Sequence, residues 1–139
     1  MVSSPAEHEP AAIVTKALQL IREQHRHDQL NCHAISEQLG LSDHQLDRAF
    51  LACRGRSCED TISSFRLSRL FDRIQHNPSV PLPLQVKACG FRSLEAGDEA
   101  FRSQFGISLE QSQHTSCRAE QDRVFRRDHP SQSLVLSAA

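Results

Sequence analysis

The sequence predicts an all-α fold of about seven helices: two helix-turn-helix subdomains joined by a long linker helix. Three observations predict it. Apolar residues recur at three- and four-residue spacings, and no stretch alternates with a period of two over more than a few residues. Helix-capping signals punctuate the chain at short intervals. A segment also repeats: residues 46–59 laid over 97–110 match at six of fourteen positions, where about one match is expected by chance. The matches are Asp47/Asp98, Ala49/Ala100, Phe50/Phe101, Gly55/Gly106, Ser57/Ser108 and Glu59/Glu110.

The elements follow in order. Residues 1–9 are polar and bounded by proline, which predicts a flexible lead. From Pro10, Ile13, Ala17, Leu20 and Ile21 form one helical stripe that Val14 and Leu18 widen. Pro10 suits the first turn, where a missing N–H costs nothing. Asn31 is a fair N-cap for a short helix that ends at Leu39-Gly40. Ser42 and Gln45 have capping-box spacing and start a helix with Leu46, Ala49, Phe50 and Cys53 on one face, ended by Gly55. Residues 10–56 thus form the first unit.

Ser57 caps a linker helix over 57–77, whose expected core stripe is Ile62, Phe65, Leu70 and Ile74. Arg66, Arg69 and Arg73 share a helical stripe and read as solvated cations with local ion pairs. After Asn77-Pro78, residues 78–114 form the second unit: a short helix ending at Cys89-Gly90, one capped by Ser93 and ended by Phe105-Gly106, and a short last helix opened by Ser108 and Gln111. Residues 115–139 are charged and then serine-rich without a period, which predicts a polar tail.

Composition narrows the function. A chain of 139 residues buries about two-thirds of its unfolded surface and needs no metal or disulfide staple. No run of eighteen apolar residues exists, so no membrane span is expected. The N-terminal stretch has neither a basic head nor an apolar core, so a cytoplasmic location is expected. Five cysteines without a Cys-x-x-Cys pair read as reduced, partly buried thiols. His25, His27 and Cys32-His33 lack the paired spacing of a zinc site, so no metal and no cofactor is expected.

Enzyme motifs are missing too. The sequence holds no phosphate loop, His-Glu-x-x-His or Gly-x-Ser-x-Gly. Gly55-x-Ser57-x-Glu59 is explained by a helix cap, and Cys53 stands two turns from His44, too far for a nucleophile and its base. The net charge of −1 counts against a nucleic-acid binder unless charge is distributed unevenly.

Certain residues carry a resemblance. Leu39-Gly40-Leu41-Ser42-x3-Leu46-x-Arg48-x-Phe50-x4-Gly55-x-Ser57, then Arg66-Leu67, then Gly90-Phe91-x9-Phe101-x3-Phe105-Gly106-x-Ser108 together resemble the DNA-binding domain of AraC/XylS-type bacterial transcription regulators. The likeness runs from about Ile13 to Gln113. It implies two helix-turn-helix units that enter successive major grooves of double-stranded DNA. It also implies that longer members add a sensing or dimerising domain.

The resemblance places base-reading positions on His44, Asp47 and Arg48, with Ser42, Gln45, Arg92 and Ser93 completing the expected DNA-binding set. Arg48 is the strongest of these, since a guanidinium can grip guanine O6 and N7. Gln45 could read adenine, but the capping box competes for it. Asp47 can only accept from cytosine.

The second unit departs from the pattern. Leu94, Glu95, Asp98 and Glu99 occupy its reading positions, so carboxylates stand where phosphates would lie. Gly97 replaces a large apolar residue, which removes a core contact. Gln85-Val86 replaces an apolar-Ala pair, and Leu70 a customary Ala. A monomeric, sequence-specific DNA-binding regulator acting mainly through the first unit is the expectation. The alternatives are a module that binds RNA polymerase or another regulator, and a fragment of a longer ligand-sensing regulator.

Overall fold

Helix boundaries in this chain are set by short-range backbone chemistry. The computed structural model describes residues 9–128; residues 1–8 of the expected lead and 129–139 of the expected tail lie outside the described residues. Among the described residues there are seven helices and no strand: α1 (Pro10–Gln24), α2 (Cys32–Leu39), α3 (Asp43–Arg54), α4 (Cys58–His76), α5 (Leu82–Ala88), α6 (Leu94–Phe105) and α7 (Leu109–Asp128). Five of these helices begin at a side-chain cap: Asn31, Ser42, Ser57, Ser93 and Ser108 each accept a backbone N–H of the first turn. In α4, Glu59 and Asp60 at the start and Arg73 and His76 at the end also complement the helix dipole.

The apolar faces build two cores that share α4. The first gathers Ile13, Ala17 and Ile21 of α1, Ile35 of α2, Leu46 and Phe50 of α3, and Cys58 and Ile62 of α4. The second gathers Leu67, Leu70 and Ile74 of α4, Leu82 and Val86 of α5, Phe101 of α6 and Leu109 of α7. The expected stripe on α4 is corrected at one position. Phe65 is half-buried and Leu67 is buried. A helix serving two lobes must shift its apolar face along its length, and a single continuous stripe misses that shift.

The Arg66 and Arg73 side chains are not solvated cations. Arg66 donates to three carbonyls of the α1–α2 connection: His25 (3.0 Å), His27 (2.8 Å) and Leu30 (3.0 Å). Arg73 Nε donates to Gln85 Oε1 at 3.1 Å, and Gln85 Nε2 donates to the Asn77 carbonyl at 2.8 Å. Gln85 is fully buried, so its amide is tolerated there because both ends are paired. Sequence patterning treats arginine as surface and cannot see carbonyls that converge from a distant loop.

The two lobes meet at Gly90, which has φ +91°. A Cβ there would lie 2.1 Å from the His25 carbonyl oxygen and 2.8 Å from Arg66 Nε. Gly97 also has a packing role that the sequence reading inverted. A Cβ on it would stand 2.9 Å from Val86 Cγ1, so glycine lets α6 lie close against α5 rather than leaving a gap.

The last helix is a second correction. Instead of a short helix and an aperiodic tail, α7 runs twenty residues to Asp128. Ser108 and Gln111 form the reciprocal cap that opens it. Gln113 donates to the Val80 carbonyl and Cys117 to the Pro78 carbonyl, which pins its first half. Beyond Cys117 every described residue is exposed. Such a stretch has no apolar period to detect, yet Ala, Glu, Gln and Arg extend a helix that packing has already nucleated.

Candidate nucleic-acid interface

Helix α3 is held from one side and open on the other. Leu46, Ala49 and Phe50 are buried against α1 and α2. The opposite face presents His44, Arg48 and Leu51, spaced four and three residues apart, all exposed. The turn before α3 is fixed by Gly40 in the left-handed region (φ +69°) and by the Ser42 cap. This is the helix-turn-helix arrangement, in which the first helix braces a second whose outer face is free to enter a major groove.

The capping box settles what Gln45 can offer. Ser42 N–H donates to Gln45 Oε1 at 2.9 Å, and Gln45 N–H donates to Ser42 Oγ at 3.1 Å. With its carbonyl engaged, the Gln45 side chain keeps only its NH2 donors, and bidentate recognition of adenine needs both ends. The Ser42 hydroxyl proton remains available to a phosphate. Arg48 is exposed beside a shallow cleft lined by Pro10, Ile13 and Leu41.

A polar network that sequence reasoning missed braces the N-terminus of α3. The Asp43 carboxylate accepts from the Ser36 hydroxyl and lies 3.2 Å from His33 Nδ1, while His33 Nε2 lies 3.1 Å from Glu37 Oε1. The Ser36 hydroxyl and then His33 hold Asp43 below the usual carboxylate range. Asp43, with Glu37, lifts His33 above the ordinary imidazole value. The i,i+4 spacing of His33 and Glu37 was visible in the sequence; the reach from α2 to Asp43 was not. Leu51 was missed as well. It is 55% exposed, an apolar side chain three residues past Arg48 on the outer face of α3.

Asp47 stands half-buried, and its repeat counterpart shows what this position does. Asp98 accepts the Leu109 N–H of α7 at 2.9 Å and pairs with Arg102 at 2.9 Å. The sequence reading set Asp98 with Glu95 and Glu99 facing the phosphates, and that is corrected: Asp98 is turned toward the next helix. Asp47 lies close enough to Cys58, the first residue of α4, for its charge to act on that thiol. Asp98 thus bonds the start of the following helix, and Asp47 lies near the start of its own.

In the second unit Ser93 Oγ accepts the Ala96 N–H at 3.1 Å, and Arg92 is exposed beside Arg66 and Gly90. Exposed Glu95 and Glu99 follow on α6. The structure therefore gathers Ser42, His44, Gln45, Asp47 and Arg48 on the first half of α3 and its cap, and places Arg92 and Ser93 at the start of α6 in the other lobe. Among the described residues no group of three His, Cys, Asp or Glu is placed to hold a metal ion, and no helix is long and apolar enough to cross a membrane.

No protein-family model and no curated protein matches the chain. Solved structures do match. The C-terminal domain of AraT, a response regulator from Geobacillus stearothermophilus, superposes with a TM-score of 0.71 at 21% identity, over 74% of this chain and 84% of that one. An AraC-type transcriptional regulator from Chromobacterium violaceum gives 0.67 at 24% identity, over 76% and 93%. The DNA-binding domain of AdpA, a global transcriptional factor solved with a target DNA, gives 0.64 at 19% identity, over 88% and 96%. Two helix-turn-helix units on one linker helix, superposing on these structures over most of their length, give the chain the all-α fold of AraC-type DNA-binding domains.

Proposed function

We propose that this protein is a sequence-specific DNA-binding transcription regulator that acts mainly through its first helix-turn-helix unit, as a monomer in the cytoplasm and without enzymatic activity. The observation that carries the reading is the outer face of α3, where exposed His44, Arg48 and Leu51 line up on a helix whose other face is buried. In this reading Arg48 grips guanine, His44 donates to a base or phosphate, and Leu51 meets a thymine methyl. Ser42, Gln45 and Ser93 donate to phosphates, and Arg92 adds a backbone contact from the second unit. Asp47 is retained as a minor contact to cytosine, secondary to its place beside α4.

Binding to duplexes selected from a random pool, read by fluorescence anisotropy, tests this. Arg48→Ala weakens specific binding by roughly fivefold or more, as expected for loss of about 1–3 kcal/mol of base contact. Glu99→Ala does not weaken it. Unchanged affinity in the Arg48 variant removes that residue from the reading role.

A second reading draws support from α6, whose exposed Glu95 and Glu99 suit a basic protein surface such as RNA polymerase or another regulator. The salt dependence separates the two. A phosphate binder shows log affinity falling with log salt at a slope of several counterions. A flat curve on random duplex favours the protein partner.

A further inference from the structure

Two of the five cysteines are the first residues of helices, Cys32 in α2 and Cys58 in α4, and their thiols come within interacting reach of one another where Cys32 packs against the core that holds Cys58. Both belong to the first core, Cys32 half-buried at its edge and Cys58 fully buried. The repeat puts Leu82 and Leu109, the first residues of α5 and α7, in the second core, so the first unit has two thiols where its twin has two leucines. Helix N-termini favour thiolate.

We propose that Cys32 and Cys58 are an oxidisable pair, which a hydroperoxide converts to a disulfide tying the start of α2 to the start of α4. Cys32 is the attacking group. It is the more accessible of the two, and the neighbouring Cys58 thiol outweighs its burial and the Glu59, Asp47 and Asp43 carboxylates, holding it below the ordinary thiol value. The same contact and burial push Cys58 up, which keeps it a protonated partner until it is needed. The Cys32 sulfur attacks the outer peroxide oxygen. The O–O bond breaks, an alcohol leaves with the Cys32 proton, and a sulfenic acid forms. The Cys58 sulfur then attacks the Cys32 sulfur. The S–S bond forms, the S–O bond breaks, and hydroxide leaves with the Cys58 proton as water. Two thiols lose two electrons and two protons, and the hydroperoxide is reduced to alcohol and water.

The remaining cysteines are placed differently. Cys53 is exposed on α3, Cys89 is buried in the second core, and Cys117 donates to the Pro78 carbonyl. Oxidation at Cys32 and Cys58 therefore closes a bond inside one lobe, next to Asp47 of the α3 helix.

The test uses the full reduced chain, one equivalent of hydrogen peroxide, alkylation and peptide mass mapping. A Cys32–Cys58 linked peptide is the first product, with loss of about 2 Da relative to the dithiol. Dithiothreitol reverses it, and the preference vanishes when the chain is oxidised in urea. Cys32→Ser, at a half-buried position, leaves Cys58 as a free thiol under the same treatment. A first product at Cys53, covalent dimers, sulfinic acid on Cys32 without pairing, or an unreacted pair each overturns the proposal. The map involves no DNA, so its outcome is independent of the binding measurements on Arg48.

Discussion

The two helix-turn-helix units share a frame and differ in what they show to solvent. Phe50 and Phe101 are both fully buried, Gly55 and Gly106 both end the second helix of their unit in the left-handed region, and Ser42 and Ser93 both cap it. On the outside, α3 carries two arginines and two aspartates. Helix α6 carries Glu95, Asp98 and Glu99 against one arginine, and that arginine is paired to Asp98. The buried positions fix shape while the exposed ones fix chemistry, so one copy can change its surface without losing its fold. The turns differ as well, and in the opposite sense. A Cβ at Gly40 would meet open space, whereas at Gly90 it would strike the other lobe.

That difference gives the largest expected effect. Both turn glycines sit at positive φ, so alanine at either costs about 1–2 kcal/mol of backbone strain. At Gly90 the added methyl also meets a backbone carbonyl, and the Arg66 clamp that holds this carbonyl must move. Gly40→Ala is expected to cost about 1–2 kcal/mol and Gly90→Ala more than about 3 kcal/mol, in the range reserved for severe core clashes. Urea denaturation of the two variants checks this. Equal losses would show that the lobes do not lean on each other at Gly90.

Much of the frame was legible in the sequence because caps and left-handed glycines are local signals. Asn31, Ser42, Ser57, Ser93 and Ser108 mark helix starts within a residue, and the repeat announced two units. What stayed hidden depends on contacts far apart in the chain. Arg66 reaches carbonyls about forty positions upstream, His33 reaches Asp43 across a turn, and Asp98 faces inward because Leu109 offers it an N–H. The end of α7 was hidden for another reason, since an exposed helix leaves no apolar period. At the candidate site, the choice of α3 over α6 followed from charge alone, while the engaged carbonyl of Gln45 and the exposure of Leu51 needed coordinates.

Gly97→Ala sharpens the comparison at the helix interface. Where the first unit has buried Leu46, the second has a glycine against Val86, itself 2% exposed and unable to yield easily. Alanine gains about 1 kcal/mol of helix propensity. Overpacking against a rigid neighbour costs about 1–3 kcal/mol. The expected result is a net loss of about 1 kcal/mol, read as a lower denaturation midpoint with an unchanged slope. A gain would mean that α5 and α6 can part freely and that the glycine is a defect.

Charge on α6 is the next test. Glu99 occupies in the second unit the place Arg48 holds in the first. Glu99→Arg should strengthen binding to random duplex by roughly threefold to tenfold and steepen the salt slope by about one to two counterions. The effect is smaller than the loss from Arg48→Ala, because a new phosphate contact carries no base recognition. If the affinity does not change, α6 does not approach the duplex, and the acidic face is then free for another partner.

The smallest effect concerns the brace before α3, which the second unit lacks: Pro83 and Leu94 stand where the first has His33 and Asp43. His33 is lifted by Asp43 and Glu37, so its contribution to stability is present below its unfolded value of about 6.5 and fades as pH rises through the folded value. Asp43 is lowered by Ser36 and His33, so its contribution is present above its unfolded value of about 3.9 and fades as pH falls through the folded one. Both are in place between about pH 4.5 and 6. Thermal melts of the protein and of His33→Ala should therefore differ most in that window and converge once the pH has risen past the folded value of His33. The groups are exposed, which keeps the difference small and makes it shrink in high salt. A gap that stays constant across this range would assign His33 a packing role, and the brace would then lie in the Ser36–Asp43 hydrogen bond alone.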